Sequence, residues 1–313
     1  MSRATLVTGA AGFAGSHLLD TLSADGIQTI AWSRPGGHKA RQLAGVQWLG
    51  IDLLDAGSVR SAIREHPPAV VFHCAGAAHV GQSWGTTTQT LKANVLGTYN
   101  LVEALRELAP DAKLLVTSSA LVYGPSREAI DESSPLVPDS PYGLSKIAQE
   151  MVASGPGGLT SSYIARPFNH IGPRQEPTFS SAAFARQIAQ IEAGLVPPEI
   201  RVGNLEARRD LTDVRDTVRA YRLMVERGVP GRPYNVCSGT AVSIRGVLDL
   251  LLTRARVAVT VVTDADRFRP NDTPIVLGNP TRAARELGWS PTVPLEQTAQ
   301  DLLDYWRKEV QRT

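Results

Sequence analysis

The amino-acid sequence predicts an α/β protein: a doubly wound parallel sheet with a smaller C-terminal lobe. Three observations predict it. Short apolar runs alternate with amphipathic stretches through the first half, the first run leads into three glycines spaced three apart, and past residue 155 the alternation gives way to Pro- and Gly-punctuated chain. Residues 4–8, 27–32, 46–50, 69–74 and 113–117 are rich in Val, Leu and Ile and read as strands buried on both faces. Between them, 16–22, 58–65 and 91–108 carry apolar residues three and four apart, the spacing of one helical face. Strands alternating with helices require crossovers, and right-handed crossovers produce a doubly wound sheet. In the second half the spacing predicts helices at 182–193, 214–226, 244–254, 281–287 and 295–308. The expected division is 1–165 with about 210–238 for the sheet domain, and about 166–209 with 239–313 for the lobe.

Composition narrows the class. The 313 residues suggest about two domains at roughly 150 residues each. Lys and Arg number 32 against 30 Asp and Glu, a net +2 that excludes a basic nucleic-acid-binding domain and a polybasic membrane patch. Two cysteines, Cys74 and Cys237, allow one disulfide at most, and Cys74 lies in an apolar run, as a reduced buried thiol would. The first residues show no secretory pattern and no apolar run approaches the ~20 residues of a membrane span, so a cytoplasmic protein is expected. The six histidines show no paired metal-ligand spacing, and no metal is expected.

Gly9-Ala10-Ala11-Gly12-Phe13-Ala14-Gly15 follows the first strand and opens a helix. In that context the first glycine permits a tight turn, the second lets backbone approach a pyrophosphate, and the third lets helix and strand pack closely. The helix N-terminus offers free N–H groups and a positive dipole end. This is a Rossmann-type dinucleotide site, to which Phe13 and Ala14 also belong. An acidic residue at the end of the second strand would bond a ribose diol and select NAD. Here Ser33-Arg34 stands there, with Lys39 and Arg41 close by, and a hydroxyl beside a guanidinium suits a 2′-phosphate. NADPH is the expected cofactor, with NADH or NAD the alternative. Asp52-Leu53 is placed to meet adenine, and Ala75-Gly76-Ala77 leaves room for the cofactor to pass.

A Ser118-Ser119 pair ends the fifth strand, and Ser140-Pro141-Tyr142 opens a helix with Lys146 four residues on. Four apart places Tyr142 and Lys146 on one helical face. A phenol of pKa about 10 is a poor base, but a nearby ammonium favours the phenolate. Such a tyrosine can exchange a proton with a carbinol or carbonyl while hydride moves to or from a nicotinamide.

On Gly9/Gly12/Gly15, Asp52-Leu53, Ala93-Asn94, Ser118-Ser119 to Tyr123-Gly124 and Tyr142 with Lys146, the chain resembles the extended short-chain dehydrogenase/reductases from residue 4 to about 289. The resemblance implies Ser119 as catalytic serine, Tyr142 as acid/base, Lys146 as the residue that lowers its pKa and holds the nicotinamide ribose, and Asn94 as the helix asparagine behind that lysine. It also implies a nucleotide-sugar substrate and a homodimer joined through helices near 91–108 and 142–153.

The stretch from Arg166 through Asn169 and His170 to Pro173, and that from Gly203 through Arg209 to Asp216, resemble GDP-6-deoxy-4-keto-mannose reductases and the related GDP-mannose dehydratases. By this resemblance Asn169 contacts substrate and Arg209 and Arg269 clasp its diphosphate, a task that suits guanidinium forks. His170 is placed to line the same pocket, in what is then a substrate-binding lobe. Dehydratases of this group carry glutamate directly after the catalytic Ser/Thr. Ala120 occupies that position and has no proton-transfer group. The expected reaction is reduction of a GDP-linked 4-keto-6-deoxyhexose to GDP-D-rhamnose or its C4 epimer. A nucleotide-sugar 4-epimerase with tightly bound NAD stays open, as does a non-catalytic NAD(P) sensor.

Overall fold

The computed structural model describes residues 4–37, 41–264, 266 and 273–312. The first half runs β1 (Thr5–Thr8), α1 (Phe13–Ala24), β2 (Thr29–Ser33), β3 (Val46–Gly50), α2 (Ala56–Glu65), β4 (Val70–His73), two short helices α3 (Val80–Ser83) and α4 (Thr87–Leu91), α5 (Gly97–Leu108), β5 (Lys113–Thr117), α6 (Pro141–Ser154) and β6 (Ser162–Pro167). Then follow β7 (Asn169–Ile171), α7 (Ser180–Glu192), β8 (Glu199–Val202), β9 (Arg208–Asp213), α8 (Val214–Arg227), β10 (Pro233–Val236), β11 (Ala241–Ser243), α9 (Ile244–Leu252), β12 (Thr260–Thr263), β13 (Ile275–Val276) and α10 (Leu295–Gln311).

Seven strands form a parallel sheet in the order β10-β6-β5-β4-β1-β2-β3. The chain winds outward from β1 through β2 to β3, then crosses to β4 and winds the other way. The strand order reverses between β1 and β4, and at such a point the loops leaving the two strands diverge and open a crevice. Successive side chains of β1 supply opposite faces: Val7 packs with Leu18, Leu22, Val218 and Met224 under α1 and α8, whereas Leu6 packs with Val59, Ile63, Leu101 and Leu105 under α2 and α5. Each such buried aliphatic side chain contributes about 1.5–3 kcal/mol, which makes the two cores the main support of the sheet.

The smaller sheets come from the second half. β9 pairs with β11, β13 and β7, and β12 pairs with β8. Helices α7, α9 and α10 bury Ile188, Leu248, Leu251, Leu302 and Leu303 in a third core against them. The expected helices of the second half form within a few residues of their predicted ends, except that 281–287 winds its last turn, Ala283–Leu287, as a π-helix. Within the expected 91–108 helix, Lys92–Leu96 is likewise a π-helical turn between α4 and α5.

Candidate active site

The glycine turn sits at the crevice. Gly9 has φ +63°, and a Cβ on it would lie 2.6 Å from the Ala75 nitrogen, so the turns after β1 and β4 touch only because this position lacks a side chain. A Cβ on Gly15 would fall 2.3 Å from the Gly9 carbonyl oxygen, which would drive α1 away from β1. Helix α1 starts at Gly12 with no side-chain cap and no acidic residue in its first turn. Its leading N–H groups, those of Phe13, Ala14 and Gly15, therefore suit the pyrophosphate of a dinucleotide. The glycine cradle and the uncapped helix fit the expected cofactor.

At the end of β2, Ser33 is half-buried and Arg34 exposed in a turn closed by Gly37 N–H to the Arg34 carbonyl (3.0 Å). Arg41 is drawn back onto α1, donating to Asp20 (2.7 Å) and to the Ser16 carbonyl (2.8 Å), and Lys39 lies outside the described residues. Asp52 is exposed and accepts from Leu54 N–H at 2.9 Å, while Leu53 lies over the start of α5 with its carbonyl held by Asn100 (2.9 Å). Beside the β4 loop, Asn94 sits in the π-helical turn. It accepts from Ala77 N–H (2.7 Å), and its amide donates to the Ala77 carbonyl (3.2 Å) and to Ser145 (2.8 Å). Asn94 thus braces the Ala75-Gly76-Ala77 loop against α6.

The two serines after β5 part company. Ser118 points inward, donating to Glu150, whereas Ser119 caps the short turn Ala120–Val122 by accepting from Leu121 N–H (3.2 Å) and stands beside the Tyr142 phenol. Ser140 caps α6 and Pro141 fills its first turn, which sets where Tyr142 and Lys146 emerge. Lys146 Nζ lies 5.7 Å from the centroid of the Tyr142 ring and donates to the Thr117 carbonyl and to Gln149 Oε1, both at 2.9 Å. Burial lowers the lysine to about 8. In the chain alone, burial pushes the Tyr142 phenol up to about 12, with the Ser119 hydroxyl opposing. The physical reason is that desolvation acts on the whole phenolate charge, whereas the ammonium is turned toward Thr117 and Gln149. The chain's own environment leaves the proton on Tyr142.

Ala120, buried beside Ser119, presents only a methyl group. Asn169 is exposed at the start of β7. His170 stacks flat on Phe13 of the glycine turn (ring centroids 5.4 Å apart, planes 4° apart), and burial lowers its pKa. Its ring thus covers the start of α1. Arg209 on β9 donates to the Arg208 carbonyl (2.8 Å) and to that of Thr273 (2.7 Å). Arg269 itself, with Pro270-Asn271-Asp272, lies outside the described residues.

Sequence reasoning missed the support behind the site. Arg166 makes a paired contact with Glu150 (2.9 and 2.7 Å) and donates to the Tyr123 hydroxyl (2.9 Å), which in turn donates to Asn235 (2.8 Å). Arg166 therefore ties β6 to α6 and β10 beneath the pocket. The available signal was Glu150 four residues after Lys146, the next turn of the same face.

Comparison with known proteins agrees with this geometry. The family described as GDP-mannose 4,6 dehydratase matches residues 6–302. The GDP-6-deoxy-D-mannose reductase of Pseudomonas aeruginosa is 35% identical over 317 residues, covering 99% of both chains. The UDP-glucose 4-epimerase of Mycolicibacterium smegmatis is 32% identical over 324 residues, 98% of this chain and 99% of that one. The structure of RMD from Pseudomonas aeruginosa complexed with NADPH superposes with a TM-score of 0.85 at 33% identity, covering 98% of this chain and 100% of the other. A glycine turn at a strand-order reversal, a Ser-Tyr-Lys cluster beside it and a match along nearly the whole chain together make this protein a member of the GDP-mannose 4,6-dehydratase family, an NAD(P)-dependent nucleotide-sugar enzyme of the extended short-chain dehydrogenase/reductase type.

Proposed function

We propose that this enzyme reduces a nucleotide-activated 4-keto-6-deoxyhexose, GDP-4-keto-6-deoxy-D-mannose above all, to GDP-D-rhamnose or its C4 epimer. The observation that carries this reading is Ala120: the residue following Ser119 offers no base, and the cluster retains only what ketone reduction needs. The 35% identity to a GDP-6-deoxy-D-mannose reductase supports it. The Gly9–Gly15 turn, Ser33, Arg34, Asp52, Leu53, the 75–77 loop and Lys146 would hold the cofactor, which when bound supplies a hydride to C4. Tyr142, whose phenol burial keeps protonated, gives its proton to the C4 oxygen. Ser119 donates to the same oxygen and orients it. Lys146 steadies the phenolate that remains. Asn169, His170, Arg209 and Arg269 are assigned to the sugar nucleotide, with guanidinium forks on its diphosphate.

The test is NADPH oxidation with GDP-4-keto-6-deoxy-D-mannose. The wild type consumes NADPH and yields a GDP-6-deoxyhexose, and the nucleotide exchanges freely. Stoichiometric NAD that survives purification, with no NADPH consumption, would replace this reading by the 4-epimerase that the M. smegmatis relative suggests.

We also propose a cytoplasmic homodimer. No helix among the described residues is long and apolar enough to cross a membrane. Leu96 and Tyr99 near the start of α5, and Leu144 and Met151 on the adjoining α6, lie exposed, apolar surface that a second copy would cover.

A further inference from the structure

Behind the Ser119–Tyr142–Lys146 cluster runs a line of buried polar side chains that the proposed reaction leaves unused. Lys146 Nζ meets Gln149 Oε1 at 2.9 Å, and Gln149 Nε2 donates to Thr98 Oγ1 at 2.8 Å. Thr98 Oγ1 donates to the Asn94 carbonyl (2.7 Å) and lies 2.8 Å from His73 Nε2. His73 Nδ1 meets Thr8 Oγ1 at 2.7 Å, and Thr8 accepts from Ala75 N–H at 3.3 Å. Gln149, Thr98, His73 and Thr8 are wholly excluded from solvent.

Lys146 at one end and the Asn94 carbonyl fix the direction of each proton as far as His73 Nε2. Lys146 can only donate, so the amide of Gln149 must turn its oxygen to the lysine and its nitrogen to Thr98. The Asn94 carbonyl can only accept, so it takes the Thr98 proton. Thr98 oxygen then accepts from both Gln149 and His73, which puts a proton on His73 Nε2, and burial, which lowers His73 to about 3, keeps the ring neutral. Thr8 supplies the proton for Nδ1. No member is left unsatisfied, and rotating the Gln149 amide would oppose two pairs of like groups at once.

We propose that Gln149 is a positioning residue for Lys146: its amide oxygen, oriented by the buried Thr98–His73–Thr8 line, holds the ammonium charged and in place on the cofactor side of the cleft. The assignment rests on the reading of Lys146 as the lysine that holds the cofactor beside Tyr142. Two of the three ammonium protons go to Thr117 and Gln149, leaving one for a ligand; a Cβ at Gly76 would lie 3.6 Å from Nζ, so the ammonium borders that loop. Other titratable groups near Lys146 or Tyr142 are His73, Cys74, Glu150 and Tyr221. Burial keeps the first neutral, raises the Tyr221 phenol and raises the Cys74 thiol to about 12, and Glu150 is engaged by Arg166.

The experiment titrates NADPH, followed by its fluorescence, against wild type, Gln149→Met and Gln149→Glu from about pH 6 to about pH 10, spanning the lysine range. Wild-type affinity falls on passing about pH 8, where Lys146 loses its proton. In Gln149→Met, which fills the space but accepts no hydrogen bond, that fall moves down by about one pH unit or more. In Gln149→Glu a carboxylate replaces the amide oxygen and the fall moves up. A packing role alone moves neither midpoint. Three midpoints agreeing within about 0.3 unit, less than a weak hydrogen bond is worth, overturn the proposal. If Gln149→Met shows no cooperative melt, the direction of the Gln149→Glu shift decides alone. A wild type that binds neither NADPH nor NADH overturns the proposed function as well, whereas coincident midpoints in cofactor-binding proteins overturn only this assignment.

Discussion

A hydroxyl and a guanidinium, Ser33 and Arg34, close β2 where a carboxylate would repel a 2′-phosphate. Arg41 is committed to Asp20 and the Ser16 carbonyl, so Arg34 is the described arginine that stands open to solvent at that strand end. Arg34→Ala is expected to weaken NADPH binding about tenfold or more, as for loss of a charged hydrogen bond, and to leave NADH binding nearly unchanged; equilibrium titration with both nucleotides checks it. At the reacting atoms, Tyr142→Phe removes the proton donor without altering the cofactor cradle. Turnover should drop by roughly 100-fold or more while NADPH binding persists, and a variant that keeps full rate would sink Tyr142 as the donor. Tyr142, Lys146 and the Ser118-Ser119 pair were legible from their order after the glycine turn and from the family resemblance. Spacing does not say which serine faces the pocket; the family resemblance named Ser119, and in the structure Glu150 on α6 takes Ser118.

Elements meet at the buried pair of Arg166 and Glu150, which joins β6 to α6 just behind the catalytic face. Both side chains are largely excluded from solvent, at 5% and 10% exposure, so neither charge can turn to water if its partner goes. Arg166→Met is expected to cost about 3–5 kcal/mol, because Glu150 is left charged, buried and sharing only Ser118. Urea unfolding monitored by circular dichroism reads this directly, and a loss below about 1 kcal/mol would place the pair with exposed ones. The main helices and the five leading strands were legible because their apolar periods are long and uninterrupted. Strands β7, β8, β9 and β11 to β13 were not: they run two to six residues, and β9, Arg208-Arg209-Asp210-Leu211-Thr212-Asp213, is mostly polar. It is a strand because Asp210 is buried and fully used, accepting from Ser238, Gly239 and Gly278 backbone N–H groups, which no local pattern announces.

For the whole molecule, two buried histidines couple folding to pH. Burial depresses His73 to about 3 and His17 to about 4 from an ordinary 6.5. Below pH 6.5 the unfolded chain binds protons that these folded sites refuse, so stability falls as pH falls. Each histidine contributes a loss of about 1.4 kcal/mol per pH unit, His17 down to about pH 4 and His73 down to about pH 3. Melting temperatures across that range should therefore drop steeply below pH 6.5; a flat profile to pH 5 would mean that one or both rings admit a proton when folded. Association is the second property at this scale. Sedimentation equilibrium should return twice the mass of one chain, and Tyr99→Glu with Met151→Glu, both on the exposed apolar surface, should return a single chain that still binds NADPH. A wild type that sediments as one chain would withdraw the dimer.

By itself the sequence determined the parallel sheet, the glycine turn at its start, and the residue types available for proton and hydride transfer, since all of these follow from short-range spacing in segments that bury themselves. The tertiary structure decided what depends on neighbours distant in the chain. It left the proton on Tyr142, because desolvation outweighs an ammonium turned toward Thr117 and Gln149. It drew Arg41 away from the cofactor pocket and laid His170 flat on Phe13. And it lined up Thr8, His73, Thr98 and Gln149, from four separate elements, behind one lysine. Charge and hydrogen bonding in a buried site are set by everything within a few ångströms, and only the fold says which residues those are.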